Sequence, residues 1–191
     1  MKPTLIIAIL IVLAPALVTG AVLRVPADHP TITAAVAASA ADDEVVIDPG
    51  VYLEHGITIT GSLTLRSAVP GEAVTIDGQG LGTVMTLDIP DADVDVSDLA
   101  FLRGGDGVMV VQRSGATASF SRCEFGENAG TGLLIEGGFA GDVVQVDLES
   151  CRFVDNDEHG LFCGPSQVRI TMADCEVTGN GDTGLFAVSA V

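Results

Sequence analysis

The 191-residue sequence has no tryptophan and a single tyrosine, Tyr52, and aromatics make up only 4 % of it. Val, Ile, Leu, Thr and Gly must therefore carry the core, a mix that favours short strands and turns over helices. Lysine is missing after Lys2. Lys2 and seven arginines stand against 26 acidic residues, for a net charge of -18. A chain this acidic does not bind nucleic acid through its bulk field. It also repels uronic-acid polymers unless a divalent cation bridges the two. The simplest role of the acidity is to keep a sheet-rich surface soluble. None of the four cysteines forms a Cys-x-x-Cys pair, which argues against zinc. No Ser or Cys sits in a nucleophile elbow.

The first 21 residues stand apart. Lys2, the apolar run from Leu5 to Val18, and the small residues Thr19, Gly20 and Ala21 have the order of a secretory signal peptide. The run is shorter than the roughly 20 residues a spanning helix needs, and Pro15 interrupts it. No cysteine lies near the cleavage region, which argues against a lipid anchor. The alternative is an uncleaved membrane anchor. We expect residues 22–191 to form the mature domain in a secreted, periplasmic or cell-surface location. No later apolar run is long enough to span a membrane.

The rest of the sequence repeats. Three segments align without gaps: Cys123 to Ile135, Cys151 to Cys163 and Cys175 to Ala187. Each reads Cys-x-apolar-x-x-Asn-x-x-x-Gly-Leu, with its asparagine at Asn128, Asn156 or Asn180, in steps of 28 and 24 residues. A looser copy runs from Leu99 through Phe101 and Gly104 to Val110. Before each cysteine, Val94-x-Val96, Ala118-x-Phe120, Val146-x-Leu148 and Ile170-x-Met172 alternate apolar and polar, the mark of strands with one buried face. Short strands separated by Gly and Asn turns suit the coils of a β-solenoid, which bury their inner faces only by stacking.

Stacking in register puts equivalent residues about 4.8 Å apart. Cys123, Cys151 and Cys175 then form an inward sulfur stack above Leu99. Phe101, Phe125, Phe153 and Val177 form a second stack. The three asparagines pass amide hydrogen bonds from coil to coil. Gly132, Gly160 and Gly184 are expected to adopt a backbone conformation that a Cβ would penalise. Outward, Glu124, Arg152 and Glu176 alternate in charge, which is favourable between neighbouring strands.

The N-terminal half differs. Thr31 to Ala41, after Pro30 and before Asp42-Asp43, reads as a short amphipathic helix that covers the first coil. Short alternating strands follow, among them Val45 to Ile47, Ile57-x-Ile59, Leu63-x-Leu65, Val74-x-Ile76 and Val84 to Leu87, punctuated by Pro49-Gly50, Gly61-Ser62, Pro70-Gly71 and Asp77-Gly78. Val25-Pro26 through Val36, Glu44 through Glu54, Ile57 to Ile59, Leu63 to Ser67 and Val74 to Gly78 resemble the entry module of the right-handed parallel β-helix family. That family is the pectin-lyase-like superfamily, which includes pectinesterases and periplasmic copper-site maturation proteins. The later Asn-x-x-x-Gly-Leu copies resemble its repeats. The resemblance runs from Leu23 to Val191 and implies an all-β, right-handed parallel β-helix with a short N-terminal capping helix. It leaves activity open, because the superfamily holds lyases, hydrolases, esterases, epimerases and non-catalytic surface proteins. The last repeat stops at Val191 without a polar cap, so we expect a domain that is incomplete at its C-terminus or capped by a partner.

A reaction is hard to place. The Asp-Phe-Ile-Phe-Gly block of pectinesterases, the Asn-Thr-Asp and Arg-Ile-Lys blocks of polygalacturonases and the Asp-Pro-His-Glu block of alginate epimerases are absent; Glu158-His159-Gly160 is the nearest echo of a polygalacturonase Gly-His-Gly. The arginines are scattered, unlike the base of a pectate lyase. The stretch Asp155 to Gly160 offers a calcium reading, with Asp155, Asp157, Glu158 and Asp182 as ligands and Glu127 nearby. Its alternative is a solvated turn, since Glu127-Asn128-Ala129-Gly130 and Gly179-Asn180-Gly181-Asp182 fill the same slot.

One pattern points to binding. In the strand after each repeat glycine the second residue faces outward: Met109, Leu134, Phe162 and Phe186. The N-terminal strands carry Thr58, Thr64 and Thr75 at outward positions instead. An exposed apolar stripe marks a contact surface, with Phe162 and Phe186 as a stacking platform if the ligand is a glycan. A cover by the Gly-rich segment Glu136 to Asp142, through Phe139, is the alternative. The sequence therefore reads as a secreted β-helix repeat protein acting as a structural or binding surface module, with a polysaccharide or a protein as the candidate partner and no certain cofactor. The rivals are a polysaccharide lyase or hydrolase whose catalytic coils are missing or divergent, and a calcium-stabilised adhesin fragment.

Overall fold

In a computed structural model, residues 20–112, 115–137, 144–166 and 168–189 are described. They form a parallel β-solenoid of three sheets. The first sheet holds β1 (Val22–Val25), β2 (Asp43–Ile47), β5 (Leu63–Ser67), β8 (Asp93–Ser97), β11 (Thr117–Ser121), β14 (Val144–Glu149) and β17 (Val168–Ala173), in that spatial order. The second holds β3 (Val51–Leu53), β6 (Val74–Asp77), β9 (Leu99–Leu102), β12 (Glu124–Gly126), β15 (Arg152–Val154) and β18 (Glu176–Thr178). The third holds β4 (Ile57–Ile59), β7 (Met85–Asp88), β10 (Val108–Gln112), β13 (Leu133–Gly137), β16 (Leu161–Ser166) and β19 (Leu185–Ser189). From β2 onward each coil contributes one strand to every sheet, so strands adjacent in space are three strands apart in sequence, while β1 pairs with β2 across the helix.

The core follows from period-two alternation. On the third sheet Ile57, Met85, Val108, Leu133 and Leu161 stack inward in register, and all are buried. On the second, Phe101, Phe125 and Phe153 stack at centroid separations of 5.5 and 4.9 Å, with planes 18° and 5° apart. Val177 continues the column. Phe120, from the first sheet, meets Phe125 edge-on at 5.4 Å. The sulfur ladder forms as the repeat implies. Cys123, Cys151 and Cys175 are free thiols, and their sulfurs lie 3.6, 3.4 and 3.6 Å from the carbonyls of Val96, Phe120 and Leu148 on the preceding coil.

Asparagine holds the turn between the second and third sheets. Asn128 Nδ2 donates to Asn156 Oδ1 at 2.9 Å, and Asn156 Nδ2 to Asn180 Oδ1 at 2.8 Å. The second amide protons go to the carbonyls of Phe101, Phe125 and Phe153. Each Oδ1 also accepts a backbone N–H from the coil before it: Gly104 to Asn128, Asn128 to Asn156, Asn156 to Asn180. Asn128 and Asn156 are 1 % exposed, and burial without these partners would cost about 1–3 kcal/mol per orphaned group.

The repeat glycines have a different reason from the one their spacing suggests. Gly132 and Gly160 are not left-handed. A Cβ on Gly160 would lie 2.7 Å from the Gly184 carbonyl oxygen and 2.9 Å from Asn180 Nδ2, and Gly132 is hemmed in the same way by Gly160 and Asn156. Close approach of neighbouring coils, not backbone dihedral, excludes a side chain. Within the repeats, left-handed residues stand just before the ladder positions. Asp98, Arg122, Ser150 and Asp174 precede the Leu99 and cysteine rungs, and Arg103, Glu127, Asp155 and Gly179 precede the asparagine slot, with φ between 52° and 71°.

The helix is shorter than its sequence pattern. It spans Ile32–Ala38, with Thr31 as N-cap, and Ser39 ends it in extended geometry. The Glu54 carboxylate accepts the N–H groups of Ile32 and Thr33, each at 2.8 Å, plus the Thr33 hydroxyl. Asp43 accepts from Ala40 and Ala21. These two carboxylates fasten the helix, which buries Ile32 and Ala35, over the first coil.

Three substitutions test the stack, each by the shift in unfolding free energy in urea melts. Phe125→Ala should cost roughly 3–5 kcal/mol, because it empties the middle of the aromatic column. Asn156→Ala should cost at least about 2 kcal/mol through orphaned partners on both neighbouring coils. Gly160→Ala should cost about 1–3 kcal/mol by forcing two coils apart, and a neutral result would refute the close-approach account.

Candidate functional site

The outer face of the third sheet carries the stripe that alternation implies. Met109 pairs with Leu134, Leu134 with Phe162, and Phe162 with Phe186. Below Met109 the same column holds Thr86 and Thr58. Thr64 and Thr75, the other outward threonines, lie on the first and second sheets. The face therefore changes along the axis from hydroxyl to apolar. Met109, Leu134 and Phe162 are half-buried and Phe186 is 42 % exposed. Phe139, the residue that would cover them, lies outside the described residues.

His159 joins this stripe, and sequence reasoning missed it. Its ring stacks on Phe162 and on Phe186 at 5.2 and 5.4 Å, with planes 26° and 14° apart, while Phe162 and Phe186 stand 5.3 Å and 13° apart. Three nearly parallel rings thus make one shelf. Thr183 on the next coil holds the imidazole, with its hydroxyl 3.0 Å from Nδ1, and Asp182 Oδ2 lies 3.8 Å from the same nitrogen. The signal was available in the register. His159 precedes Gly160 as Thr131 precedes Gly132, so it shares a rung column with Thr131 and Thr183 at the edge of the stripe.

A second outward row runs beside the first. Val111 pairs with Asp88 on one side and with Glu136 on the other. On the opposite flank lies the acidic turn, where Asp182 N–H donates to the Glu158 carbonyl. Carboxylates therefore border the apolar column on both sides.

The calcium reading gains no support from this turn. Asp155 occupies the left-handed position and its carboxylate packs against Gly179, where a Cβ would collide with it. The Asp157 backbone lies over Gly181, and Asp182 turns toward His159. Among the described residues no three His, Cys, Asp or Glu side chains gather as metal ligands. Asp155, Asp157 and Glu158 lie side by side on the turn of one coil, and Asp182 follows Glu158 on the next.

Other charged groups are structural. Arg122 makes a bidentate contact with Asp98 at 2.7 and 2.8 Å, and Gly71 N–H donates to the same carboxylate. The Arg122 hydrogen bond holds the Asp98 carboxyl below its ordinary value against the opposing effect of burial. Arg103 bridges Asp77 and Glu127, and its hydrogen bond lowers the Asp77 carboxyl likewise. Arg152 bridges Glu124 and Glu176, the alternation its outward column requires. Burial holds the Cys123 thiol well above its usual value, so it stays protonated and is a poor nucleophile.

A continuous stack of three-stranded coils, with an asparagine ladder at one corner and a capping helix at one end, defines a parallel β-helix. The family model described as "Right handed beta helix region" matches residues 50–191, and the chain belongs to that family. No curated protein matches the chain, and no solved structure does. Among the described residues no helix is long and apolar enough to cross a membrane.

The carboxylates have a pH signature. Folded-state values for Asp98 and Asp77 lie below the unfolded value of about 3.9. Their contribution is present above that value and is lost as pH falls through the lower folded values. The melting temperature should fall on acidification below about pH 4, and less steeply in Asp98→Asn than in the wild type. Parallel curves for the two proteins, followed by calorimetry, would remove Asp98 from the account.

Proposed function

We propose that the chain is a secreted β-helix surface module that holds a glycan on the outward platform of its third sheet and does not cleave it. One observation carries this reading. Phe162, Phe186 and His159 stack into a single outward shelf, continued by Leu134 and Met109, at positions where the earlier coils carry threonine. Sugar rings present apolar C–H faces, and an aromatic shelf with polar neighbours suits them. The order of residues 1–21 supports export, because it has the charge, apolar run and small-residue end of a leader. Binding rather than catalysis follows from the polar groups nearby. They belong to a turn of the repeat, and burial keeps the Cys123 thiol protonated. Without tryptophan the shelf grips each sugar weakly, so a long polymer that touches several rungs is favoured over a short one.

Affinity electrophoresis in gels containing soluble polysaccharides tests this. The wild-type chain should be retarded by at least one polymer. Phe162→Ala/Phe186→Ala should lose on the order of tenfold in affinity, since each aromatic contact contributes about 0.5–1.5 kcal/mol, while the thermal midpoint is retained. Equal retardation of the two proteins would defeat the proposal.

A further inference from the structure

Independently of the glycan reading, we infer that Cys151 and Cys175 are a redox pair: a peroxide oxidises Cys175, and Cys151 then closes a disulfide that shuts one coil into a ring. The sulfur column carries this. Each cysteine stands one place before a strand of the second sheet, and the residues that follow them, Glu124, Arg152 and Glu176, pair in register. The main chain agrees. Arg152 N–H donates to the Cys123 carbonyl and Glu176 N–H to the Cys151 carbonyl, each at 2.9 Å. The three sulfurs share one pose, with Sγ 3.5, 3.5 and 3.3 Å from the carbonyls of Ser121, Glu149 and Ala173, two residues back in each case. Neighbouring coils lie about 4.8 Å apart, inside the span of roughly 4.4–6.8 Å between Cα atoms that a disulfide bridges.

Exposure selects the pair. Cys123 and Cys151 are buried, whereas Cys175 is half-buried, so a small oxidant reaches the column at Cys175. Closing the bond turns one sulfur about its Cα–Cβ bond toward the other. Met172 and Val177, beside Cys175, are only half-buried and leave room for that turn. Val96 and Leu99, beside Cys123, are buried, and a close-packed interior resists it. In the first step the Cys175 thiolate attacks one peroxide oxygen, the O–O bond breaks, and the sulfur becomes a sulfenic acid as hydroxide leaves. In the second the Cys151 thiolate attacks Cys175 Sγ, the S–O bond breaks, and a second hydroxide leaves. Both hydroxides take up the protons the thiols released, so two thiols and one peroxide give one disulfide and two waters. The thiols fit these roles. Hydrogen bonding from Cys123 holds the Cys151 thiol below its ordinary value against burial, which suits the attacking sulfur of the second step. Burial raises the Cys175 thiol, so the first step is the slow one. The ring so closed runs through β15, β16 and β17 and carries Asn156, His159 and Phe162. It ties the coil that bears two rings of the shelf against unwinding.

The test treats the full, folded chain with hydrogen peroxide and maps its cysteines by mass spectrometry. The wild type should lose two hydrogens in one bridge between Cys151 and Cys175 within a single molecule, and a phosphine reductant should restore both thiols. Dimedone present with the peroxide should tag Cys175 alone, a readout that needs no variant. Cys151→Ser should leave Cys175 as a dimedone-reactive sulfenic acid, and Cys175→Ser should leave the remaining column unoxidised over the same exposure. Hydrogen exchange at the amides of Leu161 to Cys163 should slow on the order of tenfold in the bridged form and recover on reduction. A bridge that uses Cys123 or Cys163, a disulfide between two molecules through Cys175, or a wild-type sulfenic acid that persists without a bridge would each overturn the inference. So would thiols that all survive on the order of a hundredfold excess of peroxide. None of these outcomes bears on whether the shelf holds a glycan.

Discussion

The coils are hydrogen-bonded to one another in register, but for one shift between Cys163 and Ser166 where β16 meets β19, and the asparagine column makes that alignment costly to break. A parallel ladder by itself tolerates slippage, because its backbone bonds look the same after a shift of two residues. Side chains must therefore define the register. Here Asn156 and Asn180 each accept a backbone N–H and an amide N–H from the coil before, Asn128 accepts the Gly104 N–H, and Asn128 and Asn156 return their own protons to a carbonyl and to the next asparagine. A slipped coil would bury several orphaned groups at once. The phenylalanine and sulfur columns, the Arg152 bridge and the outward shelf all inherit their geometry from this alignment. A coil displaced by one residue would turn Phe153 outward and Phe162 inward.

Most of the fold was legible because repetition converts spacing into contact. Once two asparagines occupy equivalent slots, every residue at the same offset becomes a neighbour, and the four rungs Met109, Leu134, Phe162 and Phe186 follow without further assumption. Local geometry was less readable. The left-handed positions carry Arg, Glu, Asp, Ser and Gly, residue types too varied to mark a common backbone conformation. The conserved-looking glycine at each repeat invited a dihedral explanation, when the constraint is the carbonyl of the neighbouring coil. The helix ended early because the Asp43 carboxylate captures the Ala40 N–H, a contact that depends on the first coil being in place.

The candidate site was half readable. Alternation supplied the stripe, but His159 had been weighed as a lone histidine in a search for catalytic blocks. Its role comes from a neighbour one coil away, Thr183, and from two rings on strands that follow it. The acidic turn shows the opposite case. Its residue types suit calcium, yet Asp155 packs against Gly179, Asp182 turns toward His159, and the carboxylates do not converge. In a solenoid, residues close in sequence diverge around the perimeter, and residues about two dozen apart converge.

The steps of 28 and 24 residues between asparagines have a single origin. β13 ends at Gly137 and β14 begins at Val144, whereas β16 ends at Ser166 and β17 begins at Val168. The extra length falls wholly at the corner that joins the third sheet to the first, and the paired strands on either side keep their register. Chain can be added or removed there while the rungs above and below stay aligned, so the margin of the stripe can diversify between relatives at almost no penalty to the scaffold that displays it.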